Sequence, residues 1–121
     1  MTSVLDEGVN LVVFLEGTST DGTSVRPFRP GLLEPIVQAG APVVPVSISY
    51  QTSVDYDPSL DVAWWGRMPL LPHLVKLIGI PQIRAEVVLG DPQVNSCDRK
   101  ALGSSLHQAV TAGLPERREL E

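Results

Sequence analysis

Leu11-Val12-Val13-Phe14-Leu15, followed at once by Glu16-Gly17-Thr18-Ser19-Thr20-Asp21-Gly22, is the stretch on which the reading of the fold turns. Five apolar residues in a row, without alternation, predict a strand covered on both faces. Such strands belong to parallel or mixed sheets sandwiched between helices. The polar segment from Glu16 to Arg29 then reads as a loop leaving the strand's carboxyl end, and in open α/β sheets that is where ligands bind.

Working outward, residues 1 to 9 suit a short helix ending at Gly8. Gly31 to Ala39 has Leu32, Leu33, Ile36 and Val37 at helical spacing, Pro35 in the tolerated first turn, and Gly40 as a stop. Ala41 to Ile48 is β-branched and apolar and predicts a second strand, although Pro45 lacks a ladder donor and requires an edge, a bulge or a bend. Gln51 to Asp61 is polar and turn-rich and leads to a helix over Pro69 to Ile78. Ile83 to Leu89 predicts a third strand with Arg84 and Glu86 turned to solvent. Ser96 to Ala112 predicts a final amphipathic helix, Asp98 in its first turn and Leu102, Leu106, Ala109 and Val110 along its buried stripe. The expected class is α/β: a partial αβα sandwich, a mixed sheet of about three or four strands with flanking helices. Average sheets hold about five to six strands, so the sheet is expected to be incomplete.

The 121 residues carry 9 basic and 14 acidic side chains, a formal charge of −5, and 43% hydrophobic residues. That describes one globular domain at most. An acidic chain with no long basic run is not expected to bind nucleic acid, which needs a positive field. The lone Cys97 excludes an internal disulfide and fits a reducing compartment. No stretch approaches the roughly 20 apolar residues that span a bilayer. Met1 lies close to the first strand pattern, and Leu120-Glu121 reads as a tag scar, leaving residues 1–119 as the expected piece of domain.

In the loop, Gly17 and Gly22 allow backbone N–H groups to turn toward a ligand, and Thr18, Ser19 and Thr20 add hydroxyls. Arg26 and Arg29 add positive charge, so the parts are those of an oxyanion or phosphate pocket. The spelling goes further. Phe14, Glu16-Gly17-Thr18, Asp21-Gly22 and Pro27-Phe28-Arg29-x-Gly31 resemble the third sequence block of the glycerolipid acyltransferase family, the lysophosphatidic-acid-acyltransferase-like enzymes. Val43-Val44-Pro45-Val46 is similar to that family's fourth block, and Trp64-Trp65-Gly66, Pro72-His73-Leu74 and Gly90-Asp91-Pro92 look like those of a bacterial branch.

The resemblance implies transfer of a fatty acyl group from acyl-CoA or acyl-carrier protein to a hydroxyl of a lysophospholipid or related glycerolipid, at the cytoplasmic face of a membrane. It implies substrate-binding roles for Glu16, Gly17, Thr18, Ser19, Arg26 and Arg29 around the acceptor phosphate. Most members carry Arg where Ser19 stands, and Ser cannot clamp a phosphate bidentately, so Arg26 or Arg29 would have to compensate. The family's His-x-x-x-x-Asp block supplies a general base oriented by a carboxylate. Neither histidine fits it, because five residues beyond His73 and His107 stand Ile78 and Ala112. The chain is therefore expected to be the C-terminal half of such a domain, with no catalytic residue of its own and inactive alone. No metal or organic cofactor is implied, because a thioester is already activated.

His73 and His107 are expected to be packed or surface imidazoles. Asp55, Asp57 and Asp61 imitate part of a calcium loop, but Leu60 and Gly66 occupy its Gly and Glu positions, so no metal site is expected. Gly17-Thr18-Ser19-Thr20-Asp21 lacks the last Gly of a nucleophile elbow, and Cys97 reads as a helix-start residue. Trp64, Trp65, Met68, Leu70 and Leu71 form an apolar cluster suited to core packing, an acyl path or peripheral membrane contact. The rival to the enzymatic reading is a non-catalytic α/β module that binds anionic lipid headgroups or serves as a structural half-domain. A truncated sheet also predicts a homo-oligomer.

Overall fold

The computed structural model describes residues 7–94 and 98–115. Their order is a 3-10 turn Pro30–Leu33, α1 Glu34–Ala39, β1 Val46–Thr52, a π-helical turn Pro58–Val62, α2 Leu70–Ile78, β2 Ile83–Leu89 and α3 Arg99–Ala112. This is a mixed α/β arrangement with helices flanking a sheet, but among the described residues the sheet has two strands rather than three or four, and they pair antiparallel.

The strand expected over Leu11 to Leu15 does not form. Leu11 to Phe14 carry no regular structure, and Val12 and Phe14 are 78% and 74% exposed. A parallel strand exists only beside a neighbour that completes its hydrogen bonds, and β1 and β2 pair with each other instead. The helix expected over residues 1 to 9, the Ser96 start of the last helix, Cys97 and the tag scar expected at Leu120-Glu121 lie wholly or mostly outside the described residues.

Local chemistry accounts for the helices that do form. The 3-10 turn runs straight into α1, with Pro35 in the first turn, where a missing N–H costs nothing. Gly40 ends α1 in the left-handed conformation at φ 60°, and its N–H donates to Val37 O at 3.1 Å. Asp98 is the N-cap of α3 rather than part of its first turn, and Oδ1 accepts from the amides of Lys100 at 2.8 Å and Ala101 at 3.3 Å.

The second strand starts at Val46, five residues later than Ala41, and runs on to Thr52 inside the segment expected to be turn-rich. Pro45 is the cause. Its carbonyl accepts from Gly90 N at 2.8 Å, but it has no N–H to return, and the pairing beyond it slips: Val43 bridges Gln93, where the β1–β2 register would place Pro92. The extra residue is a bulge. Gly90 is required there because a Cβ would stand 2.8 Å from Pro45 Cγ.

The core is small and sits between the 3-10 turn, α1 and α3: Leu33, Ile36, Leu102 and Leu106, with Leu15, Phe28, Val37, Ala41 and Val43 around it. Ala109 and Val110 complete the stripe only as half-buried residues. Arg84 and Glu86 are exposed as expected, and so is every other residue of β2. Arg84 and Glu86 share a face with Ser47, which is buried and donates from Oγ to Val110 O of α3 at 2.6 Å. The opposite face, bearing Val46, Ile48, Tyr50, Ile83, Val87 and Leu89, stays exposed. So does most of α2, whose Leu70, Leu71, Leu74, Val75 and Ile78 are uncovered, so that of the three alternatives for Leu70 and Leu71 core packing is not observed.

Candidate functional site

The loop from Glu16 to Arg29 is shaped by three hydrogen bonds. Gly17 N donates to Phe14 O at 3.2 Å, closing a turn that puts Gly17 at φ 70°, a region costly for any residue with a Cβ. Arg29 N donates to Leu15 O at 2.9 Å, pinning the far end of the loop back to its start. Between them, Glu16 Oε2 accepts from Arg26 N at 2.8 Å. Within the loop Asp21 Oδ1 accepts from Thr23 N at 3.0 Å and Thr23 Oγ1 at 2.8 Å, an Asx-type turn that reverses the chain at Gly22.

The result is an open cleft of about 500 Å³. One wall is the loop, with Thr18, Ser19, Thr20, Asp21, Ser24 and Arg26; the other is Trp64, Trp65 and Gly66. The indole N–H of Trp64 donates to Met68 O at 2.9 Å and that of Trp65 to Ser59 O at 2.9 Å. Both donors are spent within the protein, so what the tryptophans offer the cleft is ring surface.

The six residues expected to bind substrate separate into three groups. Thr18, Ser19 and Arg26 line the cleft together. Glu16 does not line it; its carboxylate holds the Arg26 backbone in place. Gly17 and Arg29 form the third group, because the Arg29 side chain lies so close over Gly17 that a Cβ there would be 2.7 Å from Nε. Arg29 therefore stands outside the cleft wall, and among the described residues Arg26 is the one guanidinium lining it. The facing tryptophans could not be assigned to this site from spacing, since nothing local joins residues 64–66 to residues 18–26.

Two neighbouring clusters position the walls. His107 of α3 meets Phe28 edge-on, with ring centroids 5.2 Å apart at 78°, and its Nε2 lies 3.2 Å from Val25 O, where an Nε2-protonated ring donates to the loop. Asp61 Oδ1 pairs with Lys76 Nζ at 2.5 Å, and Oδ2 accepts from Asp57 N at 2.7 Å. The hydrogen bond from Lys76, then the Asp57 amide, holds the Asp61 carboxyl below its ordinary pKa against the opposing effect of burial. Asp57 accepts from Ser59 N at 2.8 Å and caps the π-helical turn. These aspartates fasten the Pro58–Val62 turn, which leads to Trp64, onto α2. His73 is buried on α2 near the same pair.

Residues 1–49 match the Acyltransferase family. The chain is similar to a lyso-ornithine lipid O-acyltransferase of Rhodobacter capsulatus, 33% identical over 118 residues, covering 92% of this chain and 42% of the relative. It is 35% identical over 111 residues to the protein of that name in Pseudomonas aeruginosa (91% and 42%) and 36% identical over 120 residues to that in Brucella abortus (87% and 44%). No solved structure matches the chain. It spans less than half the length of these relatives. Residues 1–49, with the loop that shapes the cleft, thus match the Acyltransferase family, and the chain is similar to part of these O-acyltransferases.

Proposed function

We propose that the protein to which this chain belongs moves a fatty acyl group from the thioester of acyl-CoA or acyl-carrier protein to the hydroxyl of a lysolipid, and that the Thr18–Arg26 cleft receives the acceptor's headgroup. The observation that carries the reading is the cleft itself, in which Thr18, Ser19 and Arg26 converge on one wall of a family loop. The names of the relatives favour an ornithine-type lysolipid as acceptor.

In this reading the acceptor oxygen attacks the thioester carbonyl, its proton passes to the histidine of a His-x-x-x-x-Asp block, and the thiolate departs. No such block occurs in these 121 residues, so the chain contributes acceptor binding and not the base. The exposed apolar side chains of α2 rest against the cytoplasmic membrane surface that holds the lysolipid. Among the described residues no helix is long and apolar enough to cross a membrane. Incubating this chain with acyl-CoA and lyso-ornithine lipid is expected to consume no thioester, while the whole protein does so and loses rate on Arg26→Gln. Robust turnover by the chain alone overturns the division of labour.

A second reading, a structural half-domain that self-associates, draws on the open edge of β2. The Gly90–Pro45 bond fixes the ladder phase, so the amides and carbonyls of Ile83, Ala85 and Val87 point away from β1. A two-fold antiparallel pairing centred on Ala85 would set Arg84 opposite Glu86 of a second copy, and neither residue has an ion-pair partner among the described residues.

A further inference from the structure

We infer that a second groove, between residues 27–30 and α3, holds a phosphopantetheine arm, the phosphate-bearing diamide chain that carries an acyl thioester on coenzyme A and on acyl-carrier protein alike. The identity of the ligand rests on the proposed acyl transfer; the site rests on its own geometry. Residues 25–34 run antiparallel to α3 and are pinned to it at both ends: Arg99 Nη1 donates to Glu34 Oε2 at 2.6 Å, and His107 Nε2 lies 3.2 Å from the Val25 carbonyl oxygen. Between the pins lies an open groove of about 330 Å³ that shares no lining residue with the cleft.

Its two walls differ in chemistry. One is Pro27, Phe28 and Pro30, where neither proline nitrogen carries a proton, so this wall offers ring surface and no polar side chain. The other is α3, on which Lys100, Ser104 and Gln108 follow one another at four-residue intervals along one face, over about 12 Å of helix. None of these three side chains has a hydrogen-bond or ion-pair partner among the described residues, and no acidic residue among them lines the groove. A ligand that fills such a space is long, apolar along one side, punctuated by polar groups along the other, and negative at the Lys100 end. Phosphopantetheine has that order: a phosphate, a dimethyl-substituted carbon, a hydroxyl, two amides and then the sulfur. Ser104 and Gln108 can each give and accept a hydrogen bond, as amides require. With the phosphate at Lys100, the sulfur emerges at the Gln108 end beside Pro27, whose neighbour Arg26 lines the cleft. The thioester is thus brought to the place where the acceptor is held.

The test uses the isotopically labelled chain titrated separately with 4′-phosphopantetheine, pantetheine and inorganic phosphate, followed by backbone amide and glutamine side-chain chemical shifts. Phosphopantetheine is expected to move the amides of Phe28 and residues 100–108 and the Gln108 side chain, pantetheine to need about tenfold higher concentration, and Lys100→Gln to remove the difference between the two. Coenzyme A against adenosine 3′,5′-bisphosphate, and holo- against apo-acyl-carrier protein, separate the two sources of the arm; a response confined to the arm-bearing member of either pair supports the site. In the whole protein, Lys100→Gln is expected to raise KM for the thioester about tenfold and to leave KM for the lysolipid where it was. No response to phosphopantetheine, or the same response to inorganic phosphate alone, overturns the inference, while thioester turnover by the whole protein leaves the acyl transfer standing. A groove that answers phosphopantetheine in a protein that consumes no thioester overturns the transfer and leaves the arm site.

Discussion

The Glu16 carboxylate reaches across ten residues of loop to accept the backbone N–H of Arg26, Oε2 to N at 2.8 Å. This bond sets where the guanidinium starts from, and it leaves the charge of Arg26 itself free to meet a ligand. Glu16→Gln keeps an acceptor and is expected to preserve acceptor binding, whereas Glu16→Ala should lower stability by about 0.5–1.5 kcal/mol, as for one exposed hydrogen bond. Urea titration reads the stability, and amide shifts of residues 24–27 read the loop. Equal loop spectra for the alanine variant and the unmodified chain would sink the positioning role.

Gly17→Ala combines an unfavourable φ with a steric collision. The φ of 70° alone should cost about 1–2 kcal/mol, and the collision with Arg29 adds to it. Combining Gly17→Ala with Arg29→Ala relieves only the collision, so the double variant should be more stable than the two single effects added. Strict additivity in a double-mutant cycle would show that Arg29 does not lie over Gly17 in solution.

The pairing of Asp61 with Lys76 makes stability depend on acid. The folded-state pKa of Asp61 lies below its unfolded value, so the contribution is present above the ordinary carboxylate range and disappears as pH falls through the lowered folded value. Asp61→Asn should reduce stability near neutrality and flatten the loss of stability between about pH 5 and pH 2. Urea midpoints at several pH values check the slope, and an unchanged acid limb in Asp61→Asn would contradict the assignment.

Leu71 and Val75 are four residues apart on α2 and 72% and 67% exposed. If this helix rests on lipid, Leu71→Glu with Val75→Glu should remove most co-sedimentation with anionic liposomes while leaving the fold intact, because neither side chain is in the core. Undiminished co-sedimentation argues against α2 as the contact.

Self-association through β2 should be sensitive to charge. Arg84→Glu places like charges opposite one another in the Ala85-centred pairing, and Arg84→Glu with Glu86→Arg restores opposite ones. Sedimentation velocity should show weaker association for the single variant and recovery for the double. A chain that stays monomeric at all concentrations excludes the pairing.

What the sequence disclosed follows the range of the forces involved. The ends of β2 at Ile83 and Leu89, the stop at Gly40 and the helix over Leu70 to Ile78 depend on neighbouring residues, and local pattern sufficed. Leu11 to Leu15 has the composition of a buried strand, but strand formation depends on a partner far along the chain, which composition does not supply. Pro45 signalled a break whose form, a slipped register beside Gly90, needed the facing strand. In the cleft, Thr18, Ser19 and Arg26 fall together because one loop carries them. The place of Arg29 was decided by the backbone of Gly17, and that of Trp64 and Trp65 by the packing of the Pro58–Val62 turn through Asp61 and Lys76.

The phase of the β1–β2 ladder also divides the strand's protons into two populations. Arg84, Glu86 and Val88 lend their amides to β1, while those of Ile83, Ala85 and Val87 look outward with no facing strand among the described residues. Deuterium should therefore enter β2 in an alternating pattern, fast at one residue and slow at the next. Any molecule that docks along this edge will announce itself by silencing every second site.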